Sequence, residues 1–322
     1  MRWNKASVLA VSLVLSAFPL LGAQRTFVAS NGNDMNPCTR DLPCRSFAAA
    51  IAQTNANGEV VAIDSAGYGA VTVTQSVTIV APLGVHAGIS VFSGDGVTIT
   101  AGSSDVVVLR NLYINAQGGV NGVTLTTAGS LHIESCVVSG FSSNGINLTP
   151  STASKAAVSD TVVRQSGASG LWADGAAGLT VSVDRCRFEK NGNGLAADRA
   201  TVAVFHSIAN ANAIHGFYAV GNDASLTPKM SIEASVSSNN GGSGVRSFTS
   251  VADVSVADST ICDNTFAGIE VAAGTARVTR NTITRNGTGL FNNIGTLRST
   301  GDNMVDGNGT NTSGAITAAN KS

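Results

Sequence analysis

The feature that most constrains this chain is a short phrase that keeps returning between Gly122 and Gly309: N-G-V-T-L, N-G-I-N-L, S-G-L-W-A, N-G-L-A-A, H-G-F-Y-A, S-G-V-R-S, A-G-I-E-V and T-G-L-F-N. Its glycines are Gly122, Gly145, Gly170, Gly194, Gly216, Gly244, Gly268 and Gly289, with gaps of 23, 25, 24, 22, 28, 24 and 21 residues. Self-similarity at this period specifies a solenoid, in which each repeat buries its apolar face against the next.

The residue after each glycine is apolar: Val123, Ile146, Leu171, Leu195, Phe217, Val245, Ile269 and Leu290. The residue after that is unconstrained: Thr124, Asn147, Trp172, Ala196, Tyr218, Arg246, Glu270 and Phe291. Because side chains alternate across a strand, the first set is predicted to point into the solenoid and the second to stand on one outer face. A second strand signal recurs about thirteen residues later, with a column of small residues through Cys136, Thr161, Cys186, Ser207, Ser235, Thr260 and Thr282. Just beyond it lies an asparagine turn: Asn191, Asn212, Asn240, Asn264, Asn286 and Asn308. Asparagine bonds neighbouring backbone readily, so a stacked ladder is expected there.

Upstream, Arg2 and Lys5 followed by the apolar run from Ala6 to Leu21 and the small Ala23 have the pattern of a cleaved export signal, residues 1–23. No other run approaches the length of a membrane span. Removal of Arg2 and Lys5 takes the formal net charge from -1 to -3, and no basic block remains to serve as a nucleic-acid footprint. Cys38 and Cys44, in N-P-C-T-R-D-L-P-C, are expected to pair in an oxidising compartment. Cys136 and Cys186, two turns apart at about 4.8 Å per turn, are out of disulfide reach and are expected as buried thiols. No histidine or second cysteine stands at ligand spacing from them, so no metal site is assigned. Ser46 is placed to cap a helix with Phe47, Ala50, Ile51 and Thr54 on one face, ending at Asn57-Gly58 and covering the exposed first turn of the solenoid.

A leucine-rich repeat has a similar period, but its L-x-x-L-x-L-x-x-N skeleton is absent, and a propeller needs a period near forty. The repeats resemble the right-handed parallel β-helix proteins of the pectate-lyase-like superfamily. The opening F-V-A-S-N-G-N-D-M-N-P-C-T-R-D-L-P-C-R-S-F-A-A-A-I, Phe27 to Ile51, is similar to the segment that starts many exported members. The expected fold is therefore all-β, a right-handed parallel β-helix of about ten turns with a short N-terminal capping helix. Its expected divisions are the signal at 1–23, the disulfide loop and helix at 24–58, the β-helix at 59–309 and a polar, frayed tail at 310–322.

The resemblance fixes architecture more than activity, because that superfamily holds lyases, hydrolases, epimerases and adhesins. The aspartate clusters of a galacturonan hydrolase are absent; only His215-Gly216 approaches its G-H-G. A lyase of this kind needs acidic calcium ligands on adjacent turns and a basic residue to remove a proton. Asp174 and Asp198 share a place on adjacent turns, but Val220 holds it on the next. The candidate catalytic set is Asp174, Asp198, His215 and Arg246, with no cofactor assigned unless a lyase requires calcium. The outer column is more informative, since Trp172, Tyr218 and Phe291 all fall on it with Arg246 and Glu270 between them. Aromatic rings on a rigid strand face stack against sugar rings. Trp172, Tyr218, Arg246, Glu270 and Phe291 are thus the candidate ligand-binding residues. The sequence points to an exported monomer, periplasmic or extracellular, that binds a polysaccharide or similar glycan, with a lyase or hydrolase and a purely structural β-helix as the alternatives.

Overall fold

The computed structural model describes residues 23–221 and 226–319, apart from the side chains of residues 176–177, and the predicted export signal lies almost wholly outside this range. Among the described residues no helix is long and apolar enough to cross a membrane. The chain coils as a parallel solenoid with three short strands per turn; one stack of strands is an eleven-stranded sheet, and the other two stacks, the first and second sheets, are joined by two continuous strands into a single 22-stranded sheet. The first sheet follows the glycine phrases and runs from Val71–Val73 through Val123–Thr127 and Phe217–Ala219 to Thr310–Ser313. The second sheet runs from Ala23–Val28 and Thr54–Ala62 to Ile316–Ala318. In two turns the chain passes from first to second sheet without a break, in the long strands Ser169–Asp184 and Asn193–Phe205. The third sheet has eleven strands, from Ala66–Gly67 to Met304–Val305. This agrees with the expected ten or so turns.

Register confirms the inward column predicted for the residue after each glycine. Val123, Ile146, Leu171, Leu195, Phe217, Val245, Ile269 and Leu290 pair in succession along the first sheet. All are buried, none more than 2% exposed. Each such side chain contributes roughly 1.5–3 kcal/mol by leaving water.

The glycines themselves are required by close approach. A Cβ on Gly170 would lie 2.6 Å from the carbonyl oxygen of Gly194, and one on Gly216 would lie 2.6 Å from that of Gly244 and 2.0 Å from Ser237 Oγ. No side chain fits where one turn's backbone meets the next.

The asparagine ladder forms as expected, and it is buried. The backbone N–H of Asn191, Asn212, Asn240, Asn264 and Asn286 donates to the side-chain oxygen of the asparagine one turn on, at 3.0, 3.0, 3.1, 3.0 and 2.9 Å. Their side-chain amides donate along the same column. Each internal member thereby satisfies a neighbour's otherwise orphaned N–H in a dry interior.

The small-residue column needs a correction at its C-terminal end. Cys136 N–H donates to Thr161, Cys186 to Ser207, Ser207 to Ser235 and Ser235 to Ser259, which continues to Asn281 and Asn303. Thr260 and Thr282, expected in that column, stand one residue further on and start third-sheet strands. Cys136, Cys186 and Cys262 are free and buried. Burial pushes the thiols of Cys136 and Cys186 up to about 12, so they stay protonated.

The column also lies at a corner built by left-handed backbone. Ser135, Asp160, Arg185 and His206 have φ of 52, 50, 51 and 45°, and Gln165 and Lys190 repeat the conformation at 57 and 56° on the far side of the third sheet. These two bends per turn leave room for only three third-sheet residues between them.

The N-terminal cap differs in length from expectation. Cys38 and Cys44 form the expected disulfide. The helix is Phe47–Gln53, with Ser46 Oγ accepting from Ala49 N–H at 3.2 Å. It stops at Gln53, short of Asn57-Gly58, because Thr54 turns extended and its hydroxyl donates to Ala50 O at 2.7 Å. From there Thr54–Ala62 already belongs to the second sheet. Strand pairing continues past residue 309: Thr310–Ser313 pairs with Thr288–Asn292, and Ile316–Ala318 pairs with Thr296–Ser299, which adds a further partial turn.

Substitution of Asn264 by alanine would leave the Asn240 N–H and amide without their acceptor. The expected loss is about 2–4 kcal/mol in urea unfolding, against a smaller loss for Asn308→Ala at the exposed end of the ladder.

Candidate functional site

The outer column of the first sheet is in register through Thr124, Asn147, Trp172, Ala196, Tyr218, Arg246, Glu270 and Phe291. All five candidate ligand-binding residues therefore share one face. Trp172, Tyr218, Arg246 and Phe291 are half-buried, whereas Ala196 is buried and Glu270 is only 5% exposed. Alternation alone predicts an open surface; the long side chains on either side close over the short ones and make the column a lined groove.

Its centre is Arg246. The guanidinium lies 4.8 Å from the Phe248 ring centroid and 5.7 Å from that of Tyr218, within cation–π range. Arg246 Nε is 3.1 Å from Glu270 Oε1, an ion pair without hydrogen-bond alignment, and it has no hydrogen-bond partner among the described residues. Glu270 Oε2 accepts from Ser243 Oγ at 2.6 Å, and Ser243 N–H donates to His215 Nδ1 at 3.0 Å. His215 Nε2 stands 3.0 Å from Arg246 Nη1, and its ring packs 5.0 Å from Tyr218. Further along, Phe266 meets Phe291 edge-on at 5.4 Å.

Burial, and secondarily the Arg246 charge, lowers the His215 pKa to about 4. At neutral pH the ring is therefore uncharged and carries one N–H. Both of its nitrogens face donors, Ser243 N–H on one side and Arg246 on the other. One of the two contacts is thus donor against donor, an uncommon arrangement in a buried site. Burial also raises the Tyr218 hydroxyl above its ordinary value, with Glu270 and Asp198 adding to the effect and Arg246 opposing it.

The two aspartates behave differently from each other. Asp174 and Asp198 are in register on adjacent turns, as the sequence indicates. Asp174 is held by both arms of Arg199, at 2.6 and 2.8 Å, while Asp198 is buried at the edge of the Tyr218 environment. Asp174 is thereby engaged in a cross-turn pair one side of the groove. Among the described residues, no group of three or more His, Cys, Asp or Glu is arranged to hold a metal ion.

Sequence reading missed Ser243, Phe248 and Phe266. The signal for Ser243 was present: the residue before each glycine is polar in most repeats, and Asn121, Asn144, Asn193, His215 and Ser243 take part in a turn ladder. His215 is the member of that ladder whose ring reaches the groove.

The family described as right handed beta helix region matches residues 154–320. The chain belongs to the right handed beta helix family. No curated protein matches this β-helix protein in sequence. Among solved structures it is similar to the A-module of the mannuronan C-5 epimerase AlgE4 of Azotobacter vinelandii, at 16% identity and a TM-score of 0.60 over 82% of this chain and 91% of that one. It is also similar to pectate lyase Pel9A, at 17% identity and a TM-score of 0.54 over 93% and 78% of the two chains. A third is the Dettilon tailspike protein gp208, at 13% identity and 0.51 over 91% and 68%. At these identities the likeness is one of fold.

The unfolded β-helix takes up the His215 proton near pH 6.5, and the folded one only near 4. The stability attributable to this group is complete above pH 6.5 and lost as the pH falls towards 4, by up to about 3 kcal/mol. Urea midpoints should fall across that window in the wild type and fall less in His215→Gln. The aspartates held down by arginine, Asp160, Asp258 and Asp263, titrate below 3.8 and lie outside it.

Proposed function

We propose that this is an exported, monomeric β-helix that binds an extended carbohydrate along the first-sheet groove from Trp172 to Phe291. The observation that carries the reading is a set of aromatic rings around two donors, on His215 and Arg246, that face each other. Trp172, Tyr218 and Phe291 stand on one column, with Phe248 packed against Tyr218 and Phe266 against Phe291. Sugar rings stack on such faces. The mismatched donors of His215 and Arg246 need an oxygen acceptor, which sugar hydroxyls, ring oxygens and carboxylates all supply. Two rungs separate Trp172 from Tyr218, about 10 Å, a span of about two sugar units. Export is supported by the Arg2 to Ala23 pattern and by the Cys38–Cys44 disulfide. Structures of similar fold include a pectate lyase and a mannuronan epimerase, whose names specify polysaccharides.

A second reading, a polysaccharide lyase or glycoside hydrolase, is favoured by His215, which is buried, neutral and beside both Arg246 and Tyr218. A neutral imidazole at pH 7 has the protonation state of a general base. In that reading Arg246 takes charge on the substrate, Asp198 beside Tyr218 is the acid, calcium would be the cofactor of a lyase, and Asp174 supports the groove through Arg199.

On a glycan array, wild-type protein should bind one class of extended glycan, and Trp172→Ala should weaken that binding at least about tenfold, equivalent to about 1.4 kcal/mol. Absence of binding, or binding indifferent to the substitution, removes the leading reading. Incubation with acidic polysaccharides, followed for unsaturated products or new reducing ends, tests the second; if both are blank, the β-helix is a structural spacer.

A further inference from the structure

A different face holds an arginine that breaks the pattern of the molecule. Along the solenoid Arg110, Arg185, Arg187, Arg199, Arg246, Arg277, Arg280 and Arg285 each lie against a carboxylate. Arg164 donates instead to Tyr113 Oη. Arg298 has no side-chain hydrogen bond or ion pair among the described residues, and it pairs in register with another arginine, Arg277. Like charges placed directly opposite across neighbouring strands are destabilising.

The two arginines line a cleft of about 820 Å³ on the outer face of the second sheet, over the last four turns. The column that crosses it is Ser255, Arg277, Arg298 and Thr317. On the other side stand Arg280 and Thr300, with Arg280 held by Asp258 at 2.8 and 2.6 Å. The carboxylate in the lining, Asp302, is itself taken up by Thr279 and by the Arg280 N–H. Arg277 has Asp253 as its partner. Among the described residues lining the cleft, Arg298 is left as the cation without a counter-charge.

We propose that this cleft binds an oxyanion group, a sulfate, phosphate or carboxylate, carried on a larger molecule and held by Arg298 with Arg277. The guanidinium fork matches an oxyanion in a bidentate way, and two forks on adjacent rungs share one anion while relieving their mutual repulsion. Thr317 offers a hydroxyl donor beside it, while the hydroxyls of Ser255 and Thr300 already donate to Ser231 and to Asp302 or the Val278 carbonyl. The cleft is far larger than one inorganic ion, so the remaining space takes the carrier. The site lies on a different face of the solenoid from the Trp172 groove and does not depend on the glycan reading.

Titration calorimetry of the full chain at low ionic strength, with inorganic sulfate, inorganic phosphate and glucuronate as separate probes, tests it. At least one probe should bind, at least about tenfold more weakly in Arg298→Gln, and with affinity that falls as salt rises. Which probe binds best identifies the source of the oxyanion. Arg298→Gln removes no side-chain hydrogen bond or ion pair among the described residues and relieves the repulsion from Arg277, so its thermal midpoint without ligand should equal or exceed that of the wild type, which separates loss of binding from loss of fold. Lys155→Gln, at a second-sheet position remote from the cleft, should leave binding unchanged. No binding by any probe, or binding that survives Arg298→Gln or disappears equally in Lys155→Gln, overturns the proposal.

Discussion

The structure depends on one close contact, repeated each turn: the α-carbon of a glycine lies against the carbonyl oxygen of the next turn's glycine, where any side chain would collide. From Gly122 to Gly268 an added Cβ would stand 2.4–2.8 Å from that oxygen. This fixes where the turns meet, and through strand alternation it fixes which residue goes inside and which goes out. The inward column is then filled by one apolar side chain per turn, and the asparagine ladder pins the adjacent corner by satisfying buried N–H groups. A solenoid of this kind gains stability turn by turn, so it needs no single large core.

The same contact places the groove. Because the phrase cannot shift register, the residue two past each glycine always reaches the outer face, and Trp172, Tyr218, Arg246, Glu270 and Phe291 are aligned on it. The polar residue before the glycine is aligned too, and at His215 it carries a ring long enough to reach Arg246. The site is thus made of two columns that flank the glycine, with donors from one and aromatic faces from the other. A continuous parallel sheet holds both, so the rings and hydrogen-bonding groups are fixed relative to one another.

Much of the fold was legible because its periodicity is carried by residues with few alternatives. Glycine at a contact, asparagine in a buried ladder and an apolar residue after glycine each have a physical reason to recur. Legibility failed where neighbouring residues are chemically alike. Ser259 and Thr260 both offer a hydroxyl, and only the backbone bend at Asp258, with φ of 51°, decides that Ser259 faces the ladder. The end of the chain misled for a related reason: Thr310 to Ser313 is polar, but an edge strand needs only backbone pairing. In the site, alternation gave the column but could not give the burial of Glu270, which depends on its contacts with Arg246 and Ser243. Phe248 and Phe266 lie outside the repeated phrase, so their approach to Tyr218 and Phe291 arises from the turns rather than the period.

The most direct test of the glycine contact is a single methyl group at Gly194, where an added Cβ would meet the Gly216 carbonyl oxygen at 2.4 Å and the Asn212 side chain at 3.0 Å. Urea unfolding of Gly194→Ala followed by far-ultraviolet circular dichroism should show a loss of more than about 3 kcal/mol, or no folded protein at all. A variant that folds with wild-type stability, within about 1 kcal/mol, would contradict the claim that this contact sets the register of the solenoid and of its groove.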